Sequence, residues 1–290
     1  QQQQQQQQSF CLVPFGSYAL EVWNPRSDLD ILLLTPHHIT RDSFFHQFVP
    51  LLESIAASDT TNDPIIQDVH PLPNAYTPVC KFRLFGISVD LLFCSLRNDS
   101  RLKHYNNDPS LDYQHKHNLY PISDLDLMGL MEPSSIRSLN GARVSQVLSN
   151  YIIQPYHKPY TQALRFLKSW AQQKGLYSNV LGFLGGINYA ILLAYVVIQL
   201  EKEQQLQHQH NDSTTKLNLS ATRLIHKFFA TFAHWDWPMP VQLPLESLSS
   251  NIVEEIPSIP SSLGSSSSSS AASSILSEWN PQRNKRDRYH

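Results

Sequence analysis

Apolar positions along this chain fall into short runs of strand length and into stripes at helical spacing, and each pattern predicts an element. Phe10-Cys-Leu-Val13 is a short apolar run and predicts a strand entering a turn at Gly16-Ser17. Ile31-Leu-Leu-Leu34 is an unbroken apolar run of strand length, so it predicts a buried strand. Over Thr40–Ser58 the spacing becomes helical, with Phe44, Phe45, Phe48, Leu51, Leu52 and Ile55 forming one stripe. A polar loop, Asp59–Pro64, precedes three more strands at Ile65–Val69, Thr77–Phe82 and Ile87–Phe93. The last two are joined by a turn at Phe85-Gly86.

The second half of the chain reads as helices. Ser134 caps a helix that runs to Asn150, with Ile136, Leu139, Val144, Val147 and Leu148 at helical spacing. Pro159 opens a helix that ends at Lys174 before Gly175. Its stripe is Tyr160, Ala163, Leu164, Leu167, Trp170 and Ala171, with Lys168 at the edge. A glycine-punctuated turn, Leu176–Ile187, feeds an apolar core helix over Ile187–Gln199. Glu201–Lys216 predicts a loop, Leu217–His234 a last amphipathic helix, and Trp235-Asp-Trp-Pro238 follows it. Arg97–Leu119 reads as a surface loop whose His104, His115 and His117 lie in solvent. Gln1–Gln8 and the Ser/Pro-rich 246–277 are predicted disordered. Arg283, Lys285, Arg286 and Arg288 form a small basic cluster near the end, read as solvated surface.

Composition narrows the class. With 290 residues, 41% of them apolar, the chain has room for about two domains with real cores. A net charge of −2 excludes a global basic field, so any nucleic-acid groove is local. Cys11, Cys80 and Cys94 are scattered and odd in number, which argues for a reducing compartment and against a disulfide scaffold or zinc site. The longest apolar run, near Ala190–Leu200, is too short to span a membrane, and no signal peptide is visible. The absence of an initiator methionine and the abrupt stop at His290 predict a fragment.

The candidate chemistry lies in four places. Gly16-Ser17 offers backbone N–H groups and a hydroxyl to an anion, although a lone Gly-Ser is ordinarily just a turn. Asp28 and Asp30 share one face of a strand, with Leu29 and Ile31 expected in the core. Two like charges side by side repel, and a hard cation such as Mg²⁺ removes that cost. The ordinary reading is a solvated strand end. Asp90 lies inside an apolar strand, where an unpaired carboxylate is costly, so it needs a cation or a donor. A hairpin after a βα unit would bring Asp90 beside Asp28 and Asp30. Lys168 can pack its stem and reach a phosphate with its head, or simply snorkel to water.

These motifs resemble a known family. Phe15-Gly-Ser17 with Asp28 and Asp30 is similar to the signature of the DNA polymerase β nucleotidyltransferase superfamily. Ile136-Arg-Ser-Leu-Asn-Gly-Ala-Arg-Val144, Ala163-Leu-Arg-Phe-Leu-Lys-Ser-Trp-Ala171 and Tyr177-Ser-Asn-Val-Leu-Gly-Phe-Leu-Gly-Gly186 resemble eukaryotic poly(A) polymerases. So do Trp235-Asp-Trp-Pro-Met-Pro240 and Arg286-Asp-Arg-Tyr-His290, all in the family's order. The resemblance implies an α+β fold, a polymerase β-like palm with a mixed sheet at 10–132 followed by a mainly helical central domain at 133–245. An insertion at 246–277 and the start of the remaining central domain at 278–290 would follow.

The same resemblance implies roles. Asp28, Asp30 and Asp90 match the catalytic, metal-binding carboxylates, which hold two Mg²⁺ (or Mn²⁺) ions. Phe15, Gly16 and Ser17 match the loop on the ATP phosphates, and Asn24 matches a nucleotide contact. Lys168 and Tyr177 match binders of the triphosphate and nucleotide, and Asn179 a residue near adenine. Gly186 and Ile187 match the turn lining the pocket, and Asn140 faces the same cleft. The implied reaction adds AMP from ATP to an RNA 3′ end with release of pyrophosphate, as in mRNA polyadenylation. The implied partners are mRNA precursor and the cleavage and polyadenylation machinery, in the nucleus, without a membrane. Alternatives are an A- or U-adding non-canonical relative, a CCA-adding enzyme, or an inactive homologue that serves as a binding module. Ala19 and Glu21 depart from the family, which usually has a basic residue and a glycine there. Family elements expected before the Phe-Gly-Ser loop and an RNA-binding domain after the central one are not found in this span.

Overall fold

The structure is a computed structural model that describes residues 10–24, 27–59, 61, 63–97, 122, 130, 132–149, 156–208 and 219–243. Most of the predicted loop at Arg97–Leu119, the terminal tracts and the basic cluster fall outside the described residues. The chain divides into two compact units, Gln1–Phe229 and Ala230–His290.

In the first unit, β1 (Cys11–Phe15), β2 (Leu29–Pro36), β3 (Ile66–Leu72), β4 (Val79–Leu84) and β5 (Ile87–Leu96) form one sheet, in the order β1-β2-β5-β4-β3. Only β2 and β5 run parallel, while the other neighbours are antiparallel. The β4–β5 turn places Phe85 (φ 50°) and Gly86 (φ 76°) both in the left-handed region. That is the two-residue turn whose twist matches paired strands. It fixes Leu84 opposite Ile87, and every later pair follows from that register. A bulge at Asp68 (φ 51°) shifts the β3–β4 register.

Both faces of the sheet are covered. Leu32 and Leu34 of β2 join Cys11, Val13, Cys94, Leu96, Leu139 and Ala142 in one cluster. Ile31 and Leu33 pack on the other face with Phe44, Val49, Leu91 and Phe93. Ile31 thus packs in the core, as its position predicts, and the face that carries the aspartates is covered as well. Asp30 shares its face with Leu32 and Leu34, which are fully buried.

The helix predicted over Thr40–Ser58 starts at Arg41, where Thr40 Oγ1 accepts from the Ser43 N–H at 3.1 Å. It widens into a π turn at Phe44–Phe48 and continues as an α-helix at Val49–Ser58. The widened stretch ends just before Pro50, which has no N–H to give to the carbonyl four residues back. Only part of the predicted stripe reaches the core: Phe44 and Leu52 are buried and Phe45 packs against the core, whereas Phe48, Leu51 and Ile55 are exposed; Val49, outside the stripe, is buried too.

Four helical elements position the rest of the site: α1 (Gly16–Ala19), α2 (Pro133–Val147), α3 (His157–Gln173) and α4 (Gly186–His208). Ser134 does not cap α2. The N-cap is Glu132, and Pro133 takes the first helical position, where its missing N–H costs nothing. The buried face of α2 is Leu139 with Ser135, Ser138, Ala142 and Ser145, four small residues that let the helix approach the sheet. Of the apolar residues predicted for its stripe, Leu139 and Leu148 are buried, and Ile136 is half-buried against the core. This helix, assigned to the helical part by sequence, thus packs into the sheet's own core.

Helix α3 begins two residues before Pro159, which its first turn tolerates. At its end Gly175 has φ 68°, Leu176 N donates to Ala171 O at 2.8 Å and Gly175 N to Gln172 O at 3.2 Å. These two bonds define a Schellman stop. Helix α4 runs to His208, past the predicted end at Gln199 and into the predicted loop. Tyr160 of α3 donates its hydroxyl to Ala190 O of α4 at 2.6 Å in the interior. A last helix spans Ala221–Ala233. In the second unit Phe232, Trp235 and Trp237 group their rings at 5.7–6.3 Å. No helix among the described residues is long and apolar enough to cross a membrane.

Candidate active site

Strand register builds the site. Phe15 pairs with Asp30, Asp30 with Asp90, Asp90 with Lys81, and Lys81 with His70. One transverse row therefore crosses all five strands on the α2-covered face. Asp30 is half-buried, Asp28 is exposed just before β2, and Asp90 is half-buried. Lys81 Nζ donates to Asp90 Oδ2. This ammonium is the donor that a carboxylate inside an apolar strand requires.

Charge is unbalanced at Asp30. Burial, then the charges of Asp90 and Asp28, push its carboxyl up to about 7, against the pull of Lys81 and Lys168. Among the described residues no three His, Cys, Asp or Glu side chains converge into a ready-made cation cage. The donor set is nevertheless hard carboxylate oxygen, and the repulsion on Asp30 is the kind a divalent cation removes.

The turn after β1 is shaped by the same row. Gly16 has φ 63°, and a Cβ there would collide with the Asp30 carboxylate. Glycine is the residue that meets both conditions. Its N–H donates to Ser145 Oγ at 3.0 Å. Phe15 packs under α2 at Gly141, where an added Cβ would meet the ring at 3.3 Å. Ser17 is half-buried, and its carbonyl accepts from Val22 N at 2.9 Å. Asn24 lies in the following loop, its carbonyl accepting from Ser27 N at 2.8 Å.

Lys168, Tyr177 and Gly186 converge from α3, the turn and α4. A Cβ on Gly186 would meet Tyr177 Oη at 2.9 Å and Lys168 Nζ at 3.9 Å. Burial lowers the Lys168 ammonium while the Asp30 charge raises it. Burial and the Asp30 charge raise the Tyr177 phenol, against a hydrogen bond with the Gly186 backbone. The Tyr177 ring lies parallel to Tyr189 with centroids 6.2 Å apart. Asn179 is exposed and lies so close to Gly185 that a Cβ there would sit 2.6 Å from Nδ2. Ile187 is half-buried in the first turn of α4, and Asn140 is exposed on α2 beside Gly141.

Two features escape the sequence reading, Lys81 and Ser145, and the structure adds detail at a third, Glu21. Lys81 was legible in principle, because a two-residue turn at Phe85-Gly86 counts it opposite Asp90. Ser145 carried no signal beyond a polar residue in a helix. Glu21, at φ 53°, occupies a left-handed position that explains why glycine is usual there. Its carbonyl accepts from Arg165 Nη2 at 2.6 Å and its carboxylate meets His157 Nε2 at 2.8 Å, tying the turn to α3.

With the geometry described, comparison with known proteins is informative. Residues 1–151 match the poly(A) polymerase nucleotidyltransferase domain and residues 159–207 match the poly(A) polymerase central domain. Poly(A) polymerase PAPalpha of Candida albicans is 32% identical over 79% of this chain and 34% of its own length. Poly(A) polymerase pla1 of Schizosaccharomyces pombe is 32% identical over 80% of this chain and 34% of its own length. Nuclear poly(A) polymerase 4 of Arabidopsis thaliana is 32% identical over 95% of this chain and 29% of its own length. The chain therefore spans about a third of the length of these relatives. A solved structure of the Cid1 poly(U) polymerase bound to MgATP aligns with a TM-score of 0.50 at 17% identity, covering 79% of this chain and 63% of that one. That likeness is one of fold. On the strength of the domain match over more than half of its residues, the chain belongs to the poly(A) polymerase family.

Proposed function

We propose that this chain carries the catalytic centre of a polynucleotide adenylyltransferase that moves AMP from ATP onto an RNA 3′ end. The 3′-oxygen would form a bond to the α-phosphorus as the bond between the α-phosphorus and the α–β bridging oxygen breaks. The hydroxyl proton passes to solvent and pyrophosphate leaves. The observation that carries this reading is the pairing of Asp30 with Asp90 across parallel β2 and β5, with Asp28 two residues before Asp30.

Asp28, Asp30 and Asp90 would hold two divalent cations, Mg²⁺ or Mn²⁺, with Asp90 at the primer side. When bound, the cations supply Lewis acidity at the attacking oxygen and at the leaving pyrophosphate. The protein's own groups do the rest. Ser17 and Lys168 bind the triphosphate, and the Tyr177 hydroxyl orients the nucleotide. Asn179 presents its amide to adenine, while Gly186 and Ile187 line the pocket. Phe15 and Gly16 keep the turn against Asp30, and Asn24 and Asn140 face the nucleotide from the loop and from α2. The partners would be the 3′ end of an mRNA precursor and the cleavage and polyadenylation machinery. The nuclear names of the Arabidopsis relatives support a nuclear location.

Extension of an oligo(A) primer with each of the four nucleoside triphosphates tests the reading. ATP should be the preferred substrate, and Asp90→Ala should extend nothing while unfolding at a temperature close to the parent's. Preference for UTP, or near-normal extension by Asp90→Ala, overturns the assignment.

A further inference from the structure

Resting on the reading of Phe15–Ser17 as a phosphate loop, we infer that Ser145 is the positioning residue that sets this loop for nucleotide binding. The side chain sits in the last turn of α2, is 1% exposed, and lies 129 residues from its partner. The Gly16 N–H donates to Ser145 Oγ at 3.0 Å. Ser145 Oγ in turn donates its proton to Gly141 O, one helical turn back, at 3.1 Å. The hydroxyl acts once as acceptor and once as donor, so the direction of the relay is defined: loop N–H, then Ser145, then the α2 backbone.

A buried serine in a helix ordinarily bonds only to the carbonyl four residues back. Here its remaining lone pair takes the N–H of Gly16 in the loop. Two further observations tie the same spot down. Gly141 brings the α2 backbone onto the Phe15 ring, and Gly16 is backed by the Asp30 carboxylate on its other side. Gly16 is thus held between α2 and Asp30, its own N–H committed to Ser145. The group left to face a phosphate is the next residue, Ser17, with its N–H and hydroxyl. Loss of the Ser145 hydroxyl leaves the Gly16 N–H without its acceptor and frees the loop to rotate.

The test compares the full chain with Ser145→Ala, and Ser145→Thr with Ser145→Val, a pair equal in shape that differs in the hydroxyl. Two readouts are taken. Amide hydrogen exchange without nucleotide should show faster exchange at Gly16 in Ser145→Ala and Ser145→Val. It should show parent-like protection in Ser145→Thr and unchanged α2 amides in all. Primer extension should show KM for ATP raised about tenfold in the Ala and Val variants, the worth of one lost hydrogen bond, with KM for the primer unchanged. Ser145→Thr should restore it. The inference is overturned if Gly16 exchange is unchanged, if KM for ATP stays at the parent value while exchange rises, or if Thr and Val behave alike. A parent chain that binds no MgATP yet loses Gly16 protection in Ser145→Ala overturns the phosphate-loop reading and leaves the anchor standing.

Discussion

Gly16 is where residue type and site geometry meet most sharply. Its backbone is left-handed, and a Cβ would run into the Asp30 carboxylate. Gly16→Ala therefore meets two costs, a strained backbone of about 1–2 kcal/mol and displacement of Asp30. We expect urea unfolding of Gly16→Ala to show that loss and ATP-dependent extension to fall by more than the stability loss accounts for. Unchanged activity in a folded Gly16→Ala would mean that Asp30 can move freely. Asp28, Asp30, Gly16 and Lys168 were all legible as types, because paired carboxylates, a Gly-Ser turn and a stripe-edge lysine are local signals. Ser145 was not, since its partner is distant in sequence and a serine in a helix has many uses.

Elements are joined here by a few polar ties rather than by broad apolar faces alone. Glu132, just before α2, accepts from Ser134 and Ser135 and pairs with Arg41 Nε at 2.9 Å, linking α2 to the helix that starts at Arg41. Burial alone would raise the Glu132 carboxyl, but the three hydrogen bonds and the Arg41 charge outweigh it and hold it at about 2, below its ordinary 4.5. A depressed carboxylate stabilises the fold above its unfolded pKa and stops doing so as pH falls through its folded one. The parent should thus lose stability between pH 4.5 and 2 relative to Glu132→Gln. Glu132 is half-exposed, so solvent limits the difference to about 1 kcal/mol or less. Urea midpoints for both proteins at pH 6, 4 and 2.5 check this; parallel curves would exclude the tie. The helix itself was legible, but its cap was not. Pro133 sets the first turn, and that moves the cap from Ser134 to Glu132.

At the scale of the whole molecule the sheet does two jobs with one face. Leu32 and Leu34 anchor α2 in the core, and Asp30, two residues earlier on the same face, belongs to the site. Damage to the core should therefore reach the chemistry. Leu34 is 0% exposed, so Leu34→Ala should cost about 2–5 kcal/mol. Because α2 also carries Ser145, the same variant should speed amide exchange at Gly16, which native-state hydrogen exchange can read. Protection at Gly16 equal to that of the parent would show α2 held independently of this core.

Local periodicity by itself determined most strands and helices, the turn at Phe85-Gly86, and the candidate carboxylates, because each is written in spacing over a few residues. The motifs determined the family for the same reason. Only the tertiary structure decided which face of β2 is which, since an apolar run buried on both sides carries no in–out signal. It also decided that Ser145 takes the Gly16 N–H and that α2 packs on the sheet. Those facts depend on register and on packing between distant segments, and neither leaves a mark within one stretch of sequence.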